Sequence, residues 1–252
     1  MQKENFIATI TFNRPPANAL ASQVLKELST LLDELENDSD VRVLLIHGEG
    51  RFFSAGADIK EFTTIENAEG FSKLSMNGQD VFEKIETYPK PVIAAIHGAA
   101  LGGGLELAMA CHIRIATEST KLGLPELQLG LIPGFAGTQR LPRYVGVPKA
   151  LEMMLTSDPI TGQEAFQLGL VNHVVQEDLL MEKAYEVAKK IAQKSPVSVK
   201  AAIELAYYSK NASFKEGALK EAELFGKVFE SRDAKEGIQA FIEKRKPEFT
   251  GE

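Results

Sequence analysis

PVIAAIHGAALGGGLELAMAC, residues 91–111, is the stretch from which the fold can be read. Residues 91–96 form a short apolar, β-branched run, the pattern of a buried strand. Leu105, Leu107, Ala108, Met109 and Ala110 read as a buried helix, and between the two stand consecutive glycines, Gly102, Gly103 and Gly104. A strand that passes through a glycine turn into a helix leaves backbone N–H groups facing outward with no side chain in the way. The first N–H groups of a helix have no internal partner and sit at the positive end of its dipole, so they suit an oxyanion. In the first turn of this helix an otherwise apolar segment carries a carboxylate, Glu106.

Other readings of these residues compete. A glycine triplet also serves tight packing, and an acidic residue in a first helical turn also compensates the dipole. Two familiar phosphate motifs are excluded. The dinucleotide fingerprint needs a third glycine where Leu107 stands, and a P-loop needs a Gly-Lys-Ser/Thr that does not follow. The local pattern alone therefore points to an anion or oxyanion site and no further.

Outward from this stretch, the chain divides by pattern. Alternating residues 6–13 read as an opening strand, and NRPPANAL (residues 13–20) as a turn, since two prolines cannot continue a central strand. Val24, Leu25, Leu28, Leu31, Leu32 and Leu35 recur at helical spacing over residues 22–37. Residues 41–47 read as a second buried strand. In GEGRFFSAGADIKEF (residues 48–62), small side chains precede Asp58 and let a ligand approach the backbone. Residues 63–88 read as helix, weakly patterned and therefore expected to be mobile over residues 64–75. A strand over 113–117 follows, then a stretch read mostly as loop, residues 121–137, in which Glu126 lies between Pro125 and Leu127. One last strand is expected over 170–175. Thr161 with Glu164, Ser213 with Glu216, and Ser195-Pro196 fit helix starts. Consecutive helices are expected over 178–194, 196–209, 214–230 and 233–246. Strand and helix mix in the first two-thirds of the chain, and the tail is helix only.

Bulk properties narrow the function classes. The 252 residues are 44% hydrophobic and 25% charged, the balance of an ordinary globular protein. A net charge of −7 argues against nucleic acid or an anionic membrane as partner. Cys111 is the single cysteine, so no internal disulfide framework exists. His47, His97, His112 and His173 show no close metal-ligand spacing, and no metal site is expected. The opening MQKENFIATITF lacks the apolar core of a signal peptide, and no apolar run reaches membrane-spanning length; a cytoplasmic location is the expectation.

Four segments, FFSAGADIKEF, PVIAAIHGAALGGGLELAMAC, LGLPELQLGLIPGFAGTQRL and AFIEKRKPEF, closely resemble the enoyl-CoA hydratase/isomerase (crotonase) family, in the same order and along essentially the whole chain. The resemblance implies an α/β fold: a crotonase-like ββα spiral core, placed at residues 1–195, and a C-terminal all-helical trimerisation region, residues 196–252. It implies a homotrimer or a dimer of trimers, an acyl-CoA thioester as substrate, and no cofactor beyond the CoA carried by that substrate.

The resemblance also assigns residues. Backbone N–H groups of Ala57 and Gly103 match an oxyanion hole for the thioester oxygen, and Glu106 and Glu126 match the two carboxyls between which a hydratase holds its water. In that scheme Glu126 supplies a proton to the α-carbon and Glu106 orients or deprotonates the water. Ala55, Asp58, Ile59 and Lys60 match the CoA-binding segment, Gly134 a position beside the reacting water, and Phe241 and Lys244 C-terminal positions that reach CoA, in some members from a neighbouring subunit. The implied activity is reversible hydration of trans-2-enoyl-CoA to 3-hydroxyacyl-CoA, in the setting of fatty-acid β-oxidation. An enoyl-CoA isomerase or a branched-chain, methylglutaconyl-type hydratase is the alternative, and retention of both glutamates favours hydration. The chain departs from the family in two places: the turn NRPPANAL is short and without lysine, and Phe135-Ala136 replaces smaller residues. The first puts an adenine or phosphate contact at that turn in doubt; the phenyl ring predicts a preference for short or medium acyl chains.

Overall fold

A parallel strand that is apolar at nearly every position is stable only with both faces covered, and the central sheet of this protein meets that demand. The computed structural model describes residues 1–252. In chain order it contains β1 (Gln2–Glu4), β2 (Ile7–Phe12), α1 (Ser22–Glu36), β3 (Val43–Gly48), α2 (Ile59–Phe62), α3 (Ala68–Glu86), β4 (Val92–Ile96), β5 (Ala99–Leu101), α4 (Gly103–Ala110), β6 (Ile113–Thr117) and β7 (Lys121–Gly123). A 3-10 turn (Glu126–Leu129) leads to α5 (Gly137–Val145), α6 (Val147–Thr156), β8 (Ile160–Thr161), α7 (Gly162–Gln167) and β9 (His173–Val175). A second 3-10 turn (Glu177–Leu179) opens the closing helices α8 (Leu180–Ala192), α9 (Pro196–Tyr208), α10 (Phe214–Glu230) and α11 (Arg232–Glu243).

The larger sheet has the order β1-β2-β3-β4-β6-β9 and is parallel except for the β1–β2 pair. Alternation along its strands sends side chains to two cores. Ala8, Ile10, Leu44, Ile46, Val92, Ala94 and Ile96 join the main core with α1, α3 and α4, whereas Ile7, Val43, Leu45, Ile93 and Ala95 pack against α8. The α8 stripe is small, Ala184, Ala188 and Ala192, which allows the helix to lie close on the sheet.

The smaller sheet, β5-β7-β8, reveals the repeat. Each central strand of the large sheet is followed by a short extended piece that joins the small sheet, and then by a helix. After β2, Leu20 bridges Ala57; after β3, Ser54 bridges Ala100; after β4, β5 pairs with β7. A strand–strand–helix unit thus recurs along the chain and winds as a spiral. The links are backbone hydrogen bonds: Leu20 N–H to Gly56 O at 2.8 Å, Leu101 N–H to Ser54 O at 3.1 Å and Gly102 N–H to Gly123 O at 2.9 Å.

The structure corrects several sequence-based boundaries. The glycine turn does not follow β4 directly, because β5 intervenes, and residues 121–137 hold β7 and a 3-10 turn as well as loop. Strands this short pair in the small sheet by neighbours far along the chain, which leaves no local periodicity to read. The helix expected from residue 63 begins at Ala68, where Asn67 accepts the Gly70 N–H, while Asp58 caps the separate turn α2. The last strand is only His173–Val175, since the Leu170 N–H closes onto Ala165 O at the end of α7. The final helix stops at Glu243, where Lys244 turns left-handed with φ 56°, and the tail folds back so that Asp233 accepts the Thr250 and Gly251 N–H groups. The three expected helix starts form: capping boxes at Thr161 and Ser213, and Ser195 capping α9 with proline in its first turn.

Candidate active site

The spiral brings the second and third units side by side where the small sheet meets the starts of α2 and α4. Gly56 takes φ +106° and Gly102 takes φ +50°. A side chain on Gly56 would press on Leu101 O, and one on Gly102 would reach Glu126 Oε1 at 2.8 Å. Glycine is required at both positions because backbone and ligand-facing groups meet there. Ala57 and Gly103 follow these glycines. A Cβ on Gly103 would lie 3.3 Å from the Ala57 nitrogen, so the two N–H groups are near neighbours. Neither donates a hydrogen bond within the protein, and both line a cavity of about 840 Å³.

Two carboxyls share that cavity. Glu106, in the first turn of α4, is 1% exposed. Its Oε1 accepts the N–H groups of Phe135 at 2.9 Å and Gly137 at 2.7 Å. Between these donors Ala136 adopts the left-handed conformation, φ 67°, which turns the two N–H groups toward one point and forms an anion-holding nest at the start of α5. No protein group donates to its Oε2. Burial, and behind it the Glu126 charge, push the Glu106 pKa up to about 8; the two N–H donors and Arg140 act in the opposite direction. Glu126, on the 3-10 turn, is also raised, chiefly by burial, and its Oε2 is buried with no hydrogen-bond partner.

The remaining walls come from α3 and the 131–136 loop. Ser75 Oγ and Gln79 Nε2 both donate to Gly134 O, the latter at 2.9 Å, and so tie the loop to α3. The Phe135 ring lies against Gly103 and Gly78 and meets Phe82 edge-on with centroids 5.4 Å apart. A Cβ on Gly78 would lie 2.3 Å from two carbons of that ring, which accounts for a glycine inside α3.

Of the residues singled out from sequence, Ala55, Ala57, Ile59, Gly103, Glu106, Glu126 and Gly134 all line this cavity. Asp58 and Lys60 do not. Asp58 caps α2 by accepting the Lys60 N–H and pairs with Arg14 at 2.5 Å, which holds its carboxyl below the usual range. Phe241 and Lys244 are also outside it: Phe241 is 85% exposed beside a separate groove among α9, α10 and α11, and Lys244 ends α11. Sequence reasoning missed Ser75, Gln79 and Arg140, which bond to Gly134 O and Glu86 at separations of 54 to 59 residues along the chain, Arg140 also reaching Phe135 O nearby.

The family model for enoyl-CoA hydratase/isomerase matches residues 2–252. The chain belongs to the crotonase family. Among crotonase relatives, a probable enoyl-CoA hydratase of Bacillus subtilis is 61% identical, covering 99% of this chain and 97% of its own length. A short-chain-enoyl-CoA hydratase of Clostridium acetobutylicum is 44% identical over 98% of this chain and 95% of the relative. The crystal structure of an enoyl-CoA hydratase from Bacillus anthracis, 42% identical, superposes with a TM-score of 0.93 and covers 98% of this chain and 96% of that one. The strand–strand–helix spiral with closing helices is thus the crotonase fold.

Proposed function

We propose that this crotonase-family protein is an enoyl-CoA hydratase, a hydro-lyase that reversibly adds water to a trans-2-enoyl-CoA to give the 3-hydroxyacyl-CoA. The observation that carries the reading is the convergence of two carboxyls, Glu106 and Glu126, on one cavity with the two unpaired N–H groups of Ala57 and Gly103. The hydratase names of its relatives support it.

In this reading the thioester oxygen accepts both N–H groups. As the water oxygen bonds to the β-carbon, the π electrons shift and negative charge develops on the thioester oxygen, where preorganised donors stabilise the enolate more than the ground state. One such donor is typically worth about 10²–10³ in rate. Two acids in one dry pocket resist double ionisation, so the pair holds one proton near neutrality. The nest of N–H donors favours the carboxylate on Glu106, and the partnerless Oε2 of Glu126 favours a neutral carboxyl there. Glu106 then takes a proton from the attacking water, and Glu126 gives its proton to the α-carbon. Dehydration runs the same steps backward. Acid–base help of this kind contributes about 10²–10⁴-fold. The proton transfers use the two carboxyls alone, without metal or redox cofactor.

The CoA portion of the substrate is assigned to Ala55 and Ile59 at the cavity, with Asp58 and Lys60 at its rim. Phe241 and Lys244 would serve the CoA of a neighbouring subunit in a trimer or dimer of trimers. The Phe135 ring against Gly103 shortens the acyl pocket, and the short-chain relative supports a preference for short or medium chains. A cytoplasmic role in fatty-acid breakdown is the natural setting. The test is product identity: in H₂¹⁸O, crotonyl-CoA must give 3-hydroxybutyryl-CoA with the label on carbon 3. Conversion of 3-enoyl-CoA with no hydration of crotonyl-CoA would make the protein an isomerase.

A further inference from the structure

Behind the nest that holds Glu106 stands a line of charges that the proposed chemistry does not use. Arg140, 7% exposed, donates through Nη1 to Phe135 O at 2.7 Å, fixing the residue whose N–H binds Glu106. Its Nε and Nη2 donate to Glu86 Oε2 at 3.2 and 3.1 Å. The other oxygen of Glu86 accepts Lys210, which lies two residues beyond α9. Tyr207, in the last turn of α9, donates to Glu83 of α3 at 3.1 Å, so the helix end is docked at two points.

A guanidinium serves here because its planar fork reaches a carbonyl on one side and a carboxylate on the other. Buried charges of this kind are tolerated when each is partnered, and every member of the line is. The line begins in the C-terminal helices and ends on a carbonyl bonded to the reacting group's own cradle.

We propose that Arg140, clamped by Glu86 and Lys210, is a positioning residue that sets the geometry and charge of the nest around Glu106, making the end of α9 part of the active-site support. The inference rests on the hydratase reading for its consequence in catalysis, and on the geometry alone for its effect on the Glu106 carboxyl. The charges acting on Glu106 are Glu126, on the 3-10 turn, and Arg140, on α5. From the other packed elements, α3 sends Glu86 onto Arg140, β5 (Ala-Ala-Leu) carries no ionisable group, and Arg114 caps the far end of α4 through Ala108 O and Cys111 O. Removing Arg140 removes the one cation among the charges acting on Glu106 and frees the Phe135 carbonyl.

The experiment follows the Glu106 carboxyl directly, by ¹³C resonance in protein labelled at the glutamate carboxyls and assigned by its loss in Glu106→Gln. Titration from about pH 5.5 to about pH 9.5 is run beside kcat and KM on crotonyl-CoA. In Arg140→Gln the Glu106 midpoint rises by about half a pH unit or more, and kcat falls about tenfold or more with KM changed less than about threefold. Arg140→Lys keeps the charge and returns the midpoint toward wild type, but it cannot span both partners and kcat stays low. Lys210→Met, on the outside of the fold, keeps the protein folded and lowers kcat about twofold to fivefold through the loosened Glu86. An unmoved midpoint in Arg140→Gln overturns the proposal whatever the activity, and a wild-type kcat in Lys210→Met overturns the part given to α9. A wild type inert on crotonyl-CoA makes the hydratase reading fail instead, and the midpoint still decides the role of Arg140.

Discussion

Burial pushes Glu106 toward its neutral form while the Phe135 and Gly137 N–H groups draw it toward the carboxylate, and that opposition sets how the residue responds to pH. Its folded-state pKa of about 8 lies above the ordinary glutamate value of about 4.3. The folded protein therefore binds a proton that the unfolded chain releases between these values. The contribution to stability is complete below the lower value and is lost as pH rises through the upper one. Glu106→Gln, which cannot ionise, should consequently gain stability relative to wild type on going from pH 5 to pH 9, by more than about 1 kcal/mol. Urea unfolding at the two pH values checks this, and an equal difference at both would contradict it. The same carboxyl shapes the rate. The reaction needs Glu106 as the carboxylate and the proton on Glu126, so kcat/KM should be bell-shaped in pH, rising as Glu106 loses its proton and falling as Glu126, also raised by burial, ionises. A profile flat to pH 10 would count against a shared proton.

At the scale of the element, the Phe135 ring and the glycine it covers make one device. Gly78 sits inside α3, where glycine costs about 1 kcal/mol relative to alanine, and the ring fills the space its side chain would take. Gly78→Ala should therefore gain no stability from helix propensity; the displaced ring should cost about 1–3 kcal/mol and lower activity. Phe135→Ala should open the pocket, so that kcat/KM for eight-carbon and longer substrates rises relative to crotonyl-CoA. A chain-length profile identical to wild type would remove Phe135 from specificity. The large-sheet strands other than β1, together with α1 and the capped helices, were legible because each carries its own period or cap. So were the glycines and Glu106, a charge in an apolar helix. The strands β5, β7 and β8, two or three residues long, were not, because their pairing is with distant chain. The support of the site was hidden for the same reason: Arg140 and Glu86 are 54 residues apart and Glu86 and Lys210 are 124 apart, separations at which a sequence displays no spacing.

Across the whole molecule, the closing helices leave apolar surface uncovered: Phe225, Phe229, Ile238, Phe241 and Ile242 are each at least half exposed, and α9 and α10 contain no buried residue. Covering such a face in water is favourable, and a trimer or a dimer of trimers is the assembly expected to cover it. Sedimentation should give three times the 27.5 kDa monomer mass or twice that trimer, and a monomer alone would refute the assembly. The activity is tested most directly by the absorbance of the 2-enoyl thioester as crotonyl-CoA meets wild type, Glu106→Gln and Glu126→Gln. The amide keeps the volume of each side chain but cannot exchange the proton. Rapid loss of absorbance with wild type, slowed about a hundredfold or more in each variant while the CoA ester still binds, is the result expected of two cooperating carboxyls. A variant that hydrates crotonyl-CoA at the wild-type rate, or a wild type inert on it, would contradict the two-glutamate hydratase.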